Sequence, residues 1–98
     1  MATTRHIVEE ELGCNETASL ISAAIQILSN ENYAGSVLPY EKVIHLTWKA
    51  KHLVDANVAL LRDYPIYEQH NIIKLYLEGQ PIEDFFDTPR SMEAAIQF

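Results

Sequence analysis

The chain is poor in the residues that build loops, staples and catalytic motifs. Only three glycines, Gly13, Gly35 and Gly79, are spread over its 98 residues, so no glycine-rich loop can cradle a phosphate. A single cysteine, Cys14, cannot form an internal disulfide, which fits a reducing cytoplasm. No stretch approaches 18 consecutive apolar residues, and the opening MATTRHIVEEE lacks an apolar h-region. Neither a membrane span nor a signal peptide is expected. GxGxxG, P-loop, GxSxG, HExxH and CxxC patterns are all missing, so catalytic residues and cofactors are not expected. The length suits one domain with a single core.

What the chain has is acid and helical periodicity. Fourteen acidic and seven basic side chains give a formal charge of −7. The charge is uneven: residues 1–35 carry −4, residues 36–65 carry +1 and residues 66–98 carry −4. With no Lys/Arg cluster to release counterions, direct nucleic-acid binding is not expected. Acidic ends suit solubility or attraction to a partner with a basic surface.

Between Pro39 and Pro65, the 25 residues Tyr40–Tyr64 contain no glycine or proline. Val43, Leu46, Ala50, Leu53, Leu60 and Tyr64 recur at helical spacing. A continuous helix here would be roughly 37 Å long. Three further helices are expected: about Thr3 to Leu12, ending at Gly13; about Glu16 to Ser29 or Asn30, capped by Asn15; and about Tyr67 to Glu78, ending at Gly79. The tract SNENYAGS reads as the break after the second. Glu9, Glu10 and Glu11 sit at the C-terminal end of the first, where the helix dipole opposes them. A helical turn at Ile82–Phe86 and a last helix from Pro89, capped by Thr88, complete the reading. The fold class is all-α, a small bundle of four to five helices around the long one.

Two candidate sites follow. Lys42, His45, Lys49 and His52 share one face of the long helix, with Glu41 four residues before His45 and Trp48 beside them. This face could hold an acidic partner or a small anionic ligand such as a nucleotide, or be an ordinary solvated surface. Trp48 either closes the edge of the core or anchors an interface. His45 and His52 lie two turns apart, roughly 10 Å, too far to chelate one metal alone; no metal site is expected. The second candidate is the acidic–aromatic segment Glu83, Asp84, Phe85, Phe86, Asp87, which either docks on a partner or plugs the end of the bundle.

Five single residues stand apart from these two sites. Asn57 interrupts the apolar stripe, fixing register or reaching a backbone carbonyl. Cys14 reads as a buried structural thiol, although the next helix N-terminus could lower its pKa. Tyr33, Tyr40 and Tyr67 stand near loop boundaries. The pattern points to a protein-interaction module: an inhibitor, adaptor or immunity-type factor in the style of phage or bacterial conflict systems. A homodimer is expected, since the second helix covers only part of the long one and a second copy would cover the exposed seam. A helix-turn-helix DNA reader is the weakest reading, since the helix after Pro65 offers only Lys74.

Overall fold

Five helices make up the described part of the molecule, a computed structural model that describes residues 3–32 and 38–81. In chain order they are α1 (Thr4–Leu12), α2 (Glu16–Asn32), α3 (Tyr40–Ala56), α4 (Val58–Arg62) and α5 (Ile66–Leu77). No strand occurs among the described residues. The all-α bundle is the observed class.

Most helix ends have a local cause. Thr3 caps α1, its Oγ1 accepting from the His6 amide at 3.1 Å. Asn15 serves two helices at once: its Oδ1 accepts from Ala18 N at 2.9 Å, and its Nδ2 donates to Leu12 O at 2.9 Å. One side chain thus satisfies a bare donor of α2 and a bare acceptor of α1. Gly13 between them has φ 89° and ψ 168°. That is not the ordinary left-handed cap but an extended mirror region open essentially to glycine.

The three glutamates that oppose the dipole of α1 each find a partner. Glu9 pairs with Arg5 at 3.7 Å, Glu10 with His6 at 3.0 Å, and Glu11 accepts from the Trp48 indole at 3.1 Å.

The long helix is divided at Asn57. In an uninterrupted helix the Asn57 amide would bond Leu53 O. Instead, the Asn57 side-chain Nδ2 takes that carbonyl at 3.0 Å, while the backbone amide shifts to Val54 O at 3.2 Å. This is side-chain competition for a backbone acceptor, and it leaves Asn57 at φ −132°, ψ 29°. Of the two roles open to Asn57, the structure shows the backbone contact. Helix α3 accordingly has 17 residues, about 25 Å, and α4 continues the chain as one short turn. Conversely, α2 runs through the expected break to Asn32. Its last turn is held by α5: Lys74 Nζ lies 2.7 Å from Glu31, and Asn32 Nδ2 donates to Glu78 at 2.8 Å.

Helices α2 and α3 share the centre, with α1 and α5 each packed against both. Ile21, Ile25, Ile73, Val8 and Val43 are essentially sealed from solvent. The stripe of α3 is covered within one copy: Val43, Leu46, Ala50, Leu53 and Val54 are all buried. Leu60 and Tyr64, further along the same stripe, are half-buried. Buried Thr47 sends its hydroxyl to Val43 O at 2.7 Å. Among the described residues no buried side-chain N or O atom lacks a partner. None of these helices is long and apolar enough to cross a membrane.

Candidate functional site

With its stripe buried, α3 turns the opposite row outward. Glu41, His45, Trp48, His52 and Asp55 follow at steps of four, three, four and three, and all are exposed. Trp48 stands at the middle of this row, 43 % exposed, with an imidazole one turn away on either side. Its indole Nε1 donates to Glu11 of α1, which fixes the ring over the surface rather than under it.

Lys42 and Lys49 lie on the flank toward α5. Lys49 Nζ is 5.4 Å from the centre of the Tyr76 ring, a cation–π distance. Lys42 is exposed and borders an open recess of about 290 Å³ lined by Leu28, Asn32, Leu46, Leu77 and Glu78. Lys51 pairs with Asp55 at 2.6 Å. Among the described residues, Glu41 and His45 form no ion pair with each other.

The structure thus brings Lys42, His45, Trp48, Lys49 and His52 together on one helix surface. No group of three or more His, Cys, Asp or Glu that could hold a metal occurs among the described residues. The second candidate, Glu83, Asp84, Phe85, Phe86 and Asp87, lies outside the described residues, as do Tyr33 and the expected helical turns at Ile82–Phe86 and from Pro89. Tyr40 and Tyr67 are exposed, together with Val58 and Ile66.

Cys14 departs from expectation twice. It is exposed, not buried, because the reversal at Gly13 turns it outward between two helix ends. Its thiol pKa is raised, first by the hydrogen bond to the Glu9 carboxylate and then by that group's charge. Any pull from the N-terminus of α2 is outweighed by an anion nearer at hand.

Sequence reading did not find the cluster around Lys74. This lysine is buried beside Ile73 and Leu77 and bridges Glu31 of α2 at 2.7 Å and Glu78 at 3.3 Å. Its pKa is raised, chiefly by the hydrogen bond to Glu31. The only available signal was a lysine set within the apolar row of α5. Occupied in this way, Lys74 is withdrawn from any phosphate.

His70 on α5 and Glu78 at its C-terminal cap give stability a pH dependence. Burial lowers the His70 pKa below the ordinary imidazole value of 6.5. Glu78 is held below the ordinary carboxylate value of 4.5, first by the Asn32 amide it accepts from and then by Lys74. In both windows the unfolded chain binds more protons than the folded one, so stability falls as pH falls. The raised Lys74 acts on the alkaline side: its contribution is complete below the ordinary lysine value and is lost as pH rises through the folded one. Urea unfolding between pH 7 and pH 4 should show the acid decline. His70→Gln should flatten its upper part and Glu78→Gln its lower part. Unchanged slopes in both variants would remove this assignment.

No family model matches the chain, and no curated protein or solved structure shows significant similarity to it.

Proposed function

We propose that this chain is a cytoplasmic protein-interaction module that binds and occludes a partner through the outer face of α3, with Trp48 as the anchor. One observation carries the reading: a tryptophan at mid-helix, left 43 % exposed yet held in place by Glu11 at 3.1 Å. Tryptophan is enriched among residues that dominate binding energy, and an ordered ring loses less conformational freedom on docking. Inhibitor, adaptor and immunity-type roles all use such a surface without catalytic chemistry. The small-anion alternative has less behind it: Lys42 and Lys49 stand two turns apart, roughly 10.5 Å along the helix, too far for one small anion to meet both.

The test compares wild-type protein with Trp48→Ala in affinity capture from the native host, with partners identified by mass spectrometry and affinities then measured on the purified pair. Loss of an anchor should weaken binding by tenfold or more, roughly 1.4 kcal/mol or above. Because the ring is more than half covered and holds Glu11 of α1, the variant should also lose roughly 1 kcal/mol of stability, so affinities are compared at a temperature where both proteins are fully folded. Light scattering of both proteins shows whether the partner is a second copy. Retention of every partner at full affinity by Trp48→Ala would refute the proposal.

A further inference from the structure

Of the six lysines and arginines among the described residues, three are neutralised at home. Arg5 pairs with Glu9, Lys51 with Asp55, and Lys74 with Glu31 and Glu78. Among the described residues, Lys42, Lys49 and Arg62 form no ion pair with a carboxylate. Two of these three stand on one flank of α3, beside Trp48. They are seven residues apart, hence nearly in line along the helix and roughly 10.5 Å from each other. His45 and His52 lie in the adjoining row. Glu11 meets Trp48 from α1, Glu41 sits at the N-terminal end of the row, and Asp55 at the other end is already tied to Lys51. Toward α1 the face carries the Glu11 carboxylate, and the indole stands in the middle; toward α5 stand Lys49, over the Tyr76 ring, and Lys42, whose recess Glu78 shares, neither of them in an ion pair among the described residues.

We infer that the partner presents an acidic amphipathic helix to this face, with two carboxylates seven residues apart on Lys42 and Lys49 and an apolar side chain between them on Trp48. A helix laid nearly parallel to α3 repeats its contacts at the same two-turn spacing, so charges in that register meet both lysines together. The inference rests on the proposed use of α3 for protein binding and adds the chemistry of what binds. It also runs against the field of the whole molecule: a net charge of −7 attracts cationic peptides. A preference for acid at this face is thus something that net charge cannot produce.

The experiment is a display selection from a library of helical peptides. Apolar positions are fixed along one stripe, and the flanking positions are randomised among Asp, Glu, Lys, Arg, Ser and Gln. Wild-type protein is the bait, with counter-selection on Trp48→Ala. Expected clones carry Asp or Glu at two positions seven residues apart. Purified clones should shift the emission of Trp48, the sole tryptophan. Their affinity should fall about tenfold or more in the Lys42→Glu, Lys49→Glu double variant, and should fall with added salt. Enrichment of basic or uncharged flanks overturns the inference, as does affinity indifferent to the double charge reversal. A library yielding no Trp48-dependent clone also overturns it. If capture from the host still depends on Trp48 in any of those cases, the interaction reading stands and only the acidic helix falls; if capture is equally indifferent, both fall.

Discussion

Ile25→Ala is expected to lower the unfolding free energy by about 3 kcal/mol, within the range for deleting a fully buried isoleucine. Ile25 is wholly inaccessible to solvent and lies on α2, the helix against which α1, α3 and α5 all pack. A cavity there is walled by other helices, none of which can close it without leaving its remaining contacts. The higher helix propensity of alanine offsets only a few tenths of a kcal/mol. For a domain whose total stability is on the order of 5–15 kcal/mol, the loss is large. Urea denaturation should show the midpoint falling by about 1 M or more at unchanged slope. Val58→Ala, at an exposed position, should move it little. A loss below about 1 kcal/mol at Ile25 would mean that α2 is not the closed centre described here.

Gly13→Ala is expected to cost about 2 kcal/mol for a different reason. An added Cβ would meet Asn15 Nδ2 at 3.5 Å, an ordinary contact, so crowding is not the penalty. The penalty is the backbone: φ 89° with ψ 168° is a region that L-residues with a Cβ avoid. Relaxing it would swing the following loop and break the double cap made by Asn15, which gives the substitution a reach beyond one residue. Chirality separates strain from crowding. D-alanine at position 13 has the mirror-image preference and should recover the glycine stability to within about 0.5 kcal/mol, while restricting the unfolded chain. Cys14 supplies the ligation junction for making that protein from two synthetic segments. Equal losses for the L- and D-residues would exclude backbone strain as the cause.

Much of the fold was open to sequence reasoning because it is set within a few residues. Asn15 as a cap, Gly13 as a stop, Pro39 at the entry to α3 and Pro65 before α5 are all contacts of short range. The departures have two sources. At Asn57 the helix divides through a choice between two donors for one carbonyl, which periodicity does not register. At the end of α2 the last turn is retained by Lys74 and Glu78, more than forty residues away in sequence. The candidate site divides in the same way. Helical spacing placed Trp48 between the apolar stripe and the basic face. Its size nevertheless made the core edge the favoured reading, and the contact that holds the ring in place comes from a glutamate 37 residues away. The exposure of Cys14 depends on an unusual φ and ψ pair at Gly13, which residue type permits but does not demand.

The bond between Trp48 and Glu11 also joins two equilibria. Helix α1 is nine residues long, too short to persist alone in water, and this contact ties its last turn to α3. A partner that takes the indole N–H for itself releases Glu11 and loosens that end of α1. A partner that leaves the bond in place and packs on the ring holds α1 down. By reciprocity, whatever factor the partner applies to the docking of α1, the docking of α1 applies to the partner's affinity. Amide hydrogen exchange along Thr4–Leu12, read with and without the partner, would report which sign the coupling takes. The short N-terminal helix then becomes a gauge of occupancy at a surface it does not itself form.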